Sequence, residues 1–433
     1  MSAQRIWIRG GRVLDPSADR DEYGDVLIED GRIAAVGTDL QIEDAEVIDA
    51  DGAWIAPGFV DLHTHLREPG QEYKEDITSG GRSAVAGGFS AVACMANTQP
   101  VNDDPAMTDF IIDRAKQDSP ARVYPVAAAT RGLEGKVMTE MSALIQAGAV
   151  AFSDDGKTIM DGSVMRHVLE YSRLVNAPVI THAEDRNLVA NGVVNEGPVS
   201  TKLGLPGNPA VAEEVLVVRD LILADLTGAH LHVAHVSTRG AVNAIRQARD
   251  RGVNATAEVT PHHLTLTDES VLGYDTNTKV APPLRSAADV SACREGLIDG
   301  TIDAIATDHA PHALHEKDLE FTVAPPGMIG FETAFPVVLD LVRKNELSPL
   351  ELMRRLSTNP AKILRRPGGR LAIGDPADVT VLHPDVRWTY DPVKGYSKSR
   401  NSPWAGQTLE GRAMATIVGG RLVYDVGRGM LTS

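Results

Sequence analysis

Short apolar runs alternate with longer stretches of helical periodicity through the middle of this chain. The runs are Gly58–His63, Phe89–Ala96, Arg122–Ala128, Ala149–Ser153, Pro178–His182, His230–His235, Asn254–Val259 and Asp303–Thr307. Their length and bounding polar residues predict strands. Between them, helical spacing predicts helices over Lys74–Ala86, Met107–Lys116, Lys136–Ala147, Ser163–Val175, Pro209–Leu226, Thr238–Arg251, Ser286–Ile298 and Phe331–Arg343. Eight strand–helix alternations predict an α/β fold, a parallel (β/α)8 TIM barrel. A doubly wound open sheet shares the alternation, but no Gly-rich nucleotide fingerprint of the kind such sheets often carry is present.

The two ends follow another rule. RIWIRGGRVLDP, DVLIEDGRIAAVG and EVIDADGAWIAPG pair apolar runs with Gly turns, twice as Asp-Gly, a strong hairpin signal. RLAIGDPADVTVLHPD and MATIVGGRLVYDVGRG repeat the style near residue 433. Neither end is large enough for a secure core. Both are therefore expected to meet in one small β-sandwich domain, residues 1–55 with 370–433, beside a barrel of residues 56–369.

Composition narrows the function classes. With 43% hydrophobic and 23% charged residues the chain reads as a soluble globular enzyme. A net charge of −17 argues against nucleic acid or an anionic membrane as partner. A local arginine or a metal could still receive a small anionic substrate. The start, MSAQRIWIRGG, has no signal-peptide apolar core, and no apolar run reaches the ~20 residues of a membrane helix. Only Cys94 and Cys293 are present, so neither a disulfide framework nor a Cys-rich zinc site is expected. A cytoplasmic location is expected.

The chemistry lies at the strand ends. In a strand, residues i and i+2 share a side, so His63 and His65 in DLHTHLREPG leave the first strand together as a metal pincer. Asn97 follows the second strand, and Asp154 and Asp155 follow the fourth. His182 ends the fifth and His235 the sixth, while His262 and His263 follow the seventh. Asp308, His309 and His312 follow the eighth. Barrel enzymes gather their catalytic residues at that end. Four histidines and two aspartates suit one or two divalent metals, which polarise carbonyls and make hydroxide available near neutral pH. The proton shuttle this needs is best supplied by Asp308. His262, His263 and His309 read equally as metal ligands or as ligand-supporting or packing residues, and His230 and His232, out of register with His235, read as structural.

DLHTHLREPG, MANTQP, THAED, VAHVS, the PPLR of VAPPLR, and ATDHAPH with the later GFET together resemble the dihydroorotases of the amidohydrolase superfamily, most closely the class I bacterial branch. The likeness spans essentially the whole chain. It implies reversible cyclisation of N-carbamoyl-L-aspartate to (S)-dihydroorotate, a step of pyrimidine biosynthesis. It implies that His63, His65 and Asp308 bind one metal and His182 and His235 a second. The cofactor would be zinc, one or two ions per subunit, with two bridged by Asp155. Asp154 competes for the bridging place, and Lys157 would take it if the strand ended two residues later. Arg67, Asn97 and His312 would hold the substrate carboxylate, a role suited to a guanidinium fork and an amide. Ala281 stands where relatives have a substrate-binding asparagine, leaving only a backbone contact. Pro326 and Gly327 stand in the PFG segment of relatives, with proline in place of the aromatic residue.

Two rival readings follow. Hydantoinases and allantoinases share barrel and metals, but their substrates lack the ring carboxylate that Arg67 and Asn97 would bind. A non-catalytic scaffold for aspartate transcarbamoylase would not need the full ligand set. A complex of an active enzyme with that partner stays open, as does a homodimer. The segment His312–Ile329, with no clear period, is expected to be a lid over bound substrate.

Overall fold

The computed structural model describes residues 5–38 and 40–431. Residues 1–4, 39 and 432–433, which fall in the ranges assigned to the end domain, lie outside them. Eight strands form one parallel sheet in chain order, from Phe59–Thr64 to Ala304–Ile305. A parallel bridge between Thr64 and His309 brings the last strand end back to the first, as a barrel requires. The predicted (β/α)8 barrel is thus the observed architecture, and the open sheet is not.

The strands read as continuous apolar runs because both faces are covered. Val60, Leu62, Ala91, Ala93, Val126, Ala151, Ile180, Ala234 and Ala304 point inward, and Ala361, Ile363 and Leu364 of the helix Asn359–Leu364 pack against this inner layer. Small inward side chains let the layer close. Phe59, Phe89, Phe331 and Phe335 fill the space between strands and helices, with Phe59 and Phe89 edge to face at 5.4 Å.

Strands from both chain ends form one mixed sheet. Arg5–Asp15 pairs with Arg20–Glu29, and Trp54–Pro57 pairs antiparallel with Val379–Thr389, joining the N-terminal strands to the C-terminal ones. Asp30-Gly31 forms the expected hairpin, with φ of 50° and 80°, between Arg20–Glu29 and Arg32–Gly37. The second Asp-Gly, Asp51-Gly52, does not. Glu46–Asp49 and Trp54–Pro57, on either side of it, each pair parallel with Arg5–Asp15 rather than with each other. The turn signal was local, whereas the partner was chosen by the longer central strand.

Other boundaries moved for local reasons. The first barrel helix begins at Ile77, not Lys74, because Asp76 caps it by accepting from Ser79 N–H. The helix expected over Lys136–Ala147 is confined to Met141–Ala147, with Gly135 at φ 68° in the turn before it. The one expected over Phe331–Arg343 divides into Phe331–Val338 and Asp340–Arg343, with Pro336 in the first piece. Between the fifth strand and the helix Val211–Thr227 lies an unforeseen insertion. It holds helices Arg186–Val189 and Pro198–Leu203 and a ribbon of Val194–Asn195 with Gly207–Asn208.

Candidate active site

The strand ends converge on Asp155. Its carboxylate lies 3.3 Å from His63 Nε2, 3.5 Å from His65 Nε2, 3.4 Å from His182 Nδ1 and 3.6 Å from His235 Nε2. Asp308 Oδ1 sits 3.2 Å from His65 Nε2 and 3.7 Å from His63 Nε2. Two triads with the spacing of metal ligands, His63–His65–Asp155 and Asp155–His182–His235, share that aspartate. Asp154 points away, accepting from Thr130 N–H at 2.9 Å. Lys157 lines a small separate cavity with Asp154 and Ile159.

This donor set fits divalent metal on grounds of its own. Among the described residues, His63 Nε2 and Asp155 Oδ1 are buried polar atoms without a hydrogen-bond partner. Such atoms are costly unless something else satisfies them. Burial opposes charge on Asp155, Asp308 and His182, but mutual attraction outweighs it. Asp155 and Asp308 are held well below the usual carboxylate range, chiefly by His63. Against the same burial, hydrogen bonds to Asp155 and Glu184 raise His182 to about 10. Carboxylates that hold protons on imidazoles this firmly offer the same negative field to a cation.

Three of the four histidines are oriented from behind. His63 Nδ1 lies 2.8 Å from Glu258 Oε1, and His65 Nδ1 lies 2.9 Å from Asn97 Oδ1. His182 Nε2 lies 3.1 Å from Glu184 Oε2. Acceptors at these positions fix the tautomer and raise ligand basicity. Asp61, fully buried, accepts from the backbone N–H groups of His63 and Thr307 and so ties the first strand end to the last. Three site residues hold left-handed backbone, Arg67 at φ 64°, His235 at 33° and Asp308 at 47°. Such positions cost about 1–3 kcal/mol each and persist where the surroundings fix them.

A cavity of about 260 Å³ opens over the cluster, lined on one side by Arg67, Asn97, Ala281, His312, Pro326 and Gly327. Arg67 Nε donates to Pro311 O at 3.2 Å, and burial lowers this guanidinium to about 10, leaving it charged at neutral pH. His312 is pushed down to about 2 by burial and by the charges of Arg67, Lys74 and Lys317, so it is neutral. Its Nε2 lies 2.9 Å from Pro326 O. Gly327 has φ 139°, and a Cβ there would fall 2.8 Å from Ala310 Cβ and 2.9 Å from Ala310 O, so no other residue fits.

The segment His312–Ile329 is more ordered than its sequence pattern implied. It carries the helix Leu314–Lys317 and is pinned by two buried lysines. Lys279 Nζ donates to Phe321 O at 2.7 Å, and Lys317 Nζ to Pro325 O at 2.9 Å and Gly327 O at 3.1 Å. Asn401, from the C-terminal part of the chain, donates to Ala310 O and Gly327 O, both at 3.0 Å.

Sequence reasoning missed Glu258, Glu184, Asn401 and both lysines. Glu258 had a signal, a charged residue inside an otherwise uncharged strand, Ala255–Val259. Asn401 had none, because its partners lie 74 and 91 residues away. Of the uncertain histidines, His263 Nε2 lies 3.1 Å from Pro282 O, and His309 stacks on Phe331 at 3.9 Å. His262 is buried beside the cluster with its Nε2 unpartnered.

Comparison with known proteins follows this geometry. A family described as "Dihydro-orotase-like" matches residues 52–241. A dihydroorotase of Syntrophotalea carbinolica is 54% identical over 97% of this chain and 99% of its own length. One from Anaeromyxobacter sp. is 53% identical over 98% of each. Among solved structures, an L-hydantoinase (dihydropyrimidinase) from Arthrobacter aurescens superposes with a TM-score of 0.89 at 25% identity, covering 98% of this chain and 97% of that one. This chain belongs to the dihydroorotase family of the amidohydrolase superfamily.

Proposed function

We infer that this chain is a metal-dependent enzyme that interconverts N-carbamoyl-L-aspartate and (S)-dihydroorotate. The observation that carries the reading is a cationic corner, Arg67 with Asn97 and His312, facing a cluster of four imidazoles and two carboxylates across one cavity. The donor set suits two Zn²⁺ ions, with Asp155 shared between them. Bound at these donors, divalent metal supplies Lewis acidity toward the ring carbonyl and lowers the pKa of water.

The chain's own residues do the rest. Arg67 receives the substrate carboxylate through its guanidinium fork. The Asn97 amide reaches the same corner while its Oδ1 holds His65. Ala281 and Gly327 offer backbone atoms, and Pro326, which has no N–H, offers only its carbonyl. In ring opening, Asp308 accepts the proton of the attacking water and passes it to the ring nitrogen as the C–N bond breaks. In ring closure it takes the proton from the ureido nitrogen as that nitrogen attacks the side-chain carboxyl carbon, and water leaves. The division into a barrel of residues 56–369 and an end domain of 1–55 with 370–433 is part of the same proposal. The Asn401 contacts make the end domain a support for the substrate loop.

The test is ring opening of (S)-dihydroorotate by zinc-loaded protein, with hydantoin and allantoin in parallel. Turnover of dihydroorotate alone is expected. Turnover of a carboxylate-free ring in preference would overturn the assignment of Arg67, Asn97 and His312.

A further inference from the structure

A hydrogen-bonded chain runs from the metal cluster down the inside of the barrel. His63 Nδ1 lies 2.8 Å from Glu258 Oε1, and Glu258 Oε2 lies 3.0 Å from His232 Nε2. His232 Nδ1 lies 2.8 Å from Thr256 Oγ1, which lies 2.8 Å from His230 Nε2. The sheet register produces this column. His232 pairs with Thr256 across adjacent strands, Glu258 lies two residues beyond Thr256 on the same face, and His230 lies two before His232. His63, His232 and Glu258 are fully buried, and His230 at the far end is half-buried.

One arrangement of protons satisfies every member with neutral imidazoles. An ionised Glu258 only accepts, so His63 must carry its proton on Nδ1 and His232 on Nε2. His232 Nδ1 is then an acceptor, Thr256 donates to it, and the Thr256 oxygen accepts from His230 Nε2–H. The lone pair of His63 is left on Nε2, the atom that faces Asp155 and has no hydrogen-bond partner. Among the described residues, the Glu258 carboxylate has no lysine or arginine as hydrogen-bonding partner, only these two imidazoles.

We propose that Glu258, His232 and Thr256 are positioning residues that fix the tautomer of His63 from the barrel interior and so set the metal affinity of the His63–His65 half of the site. The proposal rests on His63 being a metal ligand and not on the identity of the substrate. It predicts an effect that fades with distance along the column.

The experiment is competition for Zn²⁺ against a chromophoric chelator, read as stepwise dissociation constants, with thermal midpoints measured on the same samples. Glu258→Gln should weaken one of the two zinc constants about 10–100-fold, the range for lost outer-shell partners, and leave the other in place. His232→Phe should weaken the same constant less, and Thr256→Val, which removes one hydroxyl and endangers folding least, a few-fold. Unchanged zinc constants in folded Glu258→Gln or His232→Phe, with only the thermal midpoint lowered, would make the column a packing device and overturn the proposal. If Glu258→Gln does not fold, unchanged constants in both His232→Phe and Thr256→Val overturn it equally. Wild-type protein that binds no zinc would overturn the column and the metal reading of the site together.

Discussion

The two sides of the cavity are built differently. On the metal side, His63, His65, Asp155, His182 and His235 stand at or just beyond ends of parallel strands, and three of the histidines have a carboxylate or amide behind them. On the side proposed to hold the substrate carboxylate, Arg67, His312, Pro326 and Gly327 stand on loops held by backbone carbonyls and by lysines from outside the cluster. The first side is fixed by the sheet, the second by contacts among loops. Chemistry and recognition divide along this line. Reaction is assigned to the rigid side, and choice of substrate to the side whose support can vary.

The largest effect expected is on the rigid side. Asp308→Asn should lower turnover roughly 10²–10⁴-fold, the usual worth of a positioned proton carrier, with bound zinc retained. Elemental analysis beside steady-state kinetics checks it, and near-normal turnover would remove Asp308 from the proton path. Next is Arg67→Met, which should raise KM for dihydroorotate roughly 10–100-fold, the worth of a charged hydrogen-bonding group. A fall in kcat at unchanged KM would mean that Arg67 serves the reaction and not the binding.

Metal uptake should depend steeply on pH. In metal-free protein His182 is raised to about 10, burial opposing this and hydrogen bonds to Asp155 and Glu184 outweighing it. Zinc must displace that proton, so affinity should rise with pH across the neutral range and zinc should leave on acidification. The same shift has a stability sign. A raised folded-state value stabilises metal-free protein fully below the unfolded value of about 6.5, and this is lost as pH rises toward 10. Metal-free protein should therefore lose thermal stability between neutral pH and pH 10, and zinc-loaded protein should not. Parallel melting curves decide it. The smallest effect belongs to the loop. Lys317→Met should speed limited proteolysis within His312–Ile329 and raise KM a few-fold, with zinc content unchanged. Bound product should slow the same cleavage in the unaltered protein if the loop acts as a lid.

What could be read from the sequence follows the same division. A barrel strand places its last residues at a known end, so order along the chain became order around the site, and Asp155, His182 and His235 could be named from spacing and resemblance. Arg67 and His312 could be named by resemblance, but not what holds them. Their supports come from Pro311, Pro326 and Asn401, whose backbone or side-chain contacts leave no period in the sequence. Asp51-Gly52 shows the limit in another form, since a turn signal says that the chain bends and not which strand it will meet. His232, read as structural because of its register, is out of register with His235 and yet one carboxylate away from His63. Alternation along one strand does not show that the closed barrel sets Glu258 between His232 and His63.

Equilibrium binding of (S)-dihydroorotate to zinc-loaded wild type, Asp308→Asn and Arg67→Met tests the division most directly. The account predicts that Asp308→Asn binds within a few-fold of wild type while turning over almost nothing, and that Arg67→Met loses roughly 10–100-fold in affinity. Loss of binding in Asp308→Asn with binding preserved in Arg67→Met would contradict it.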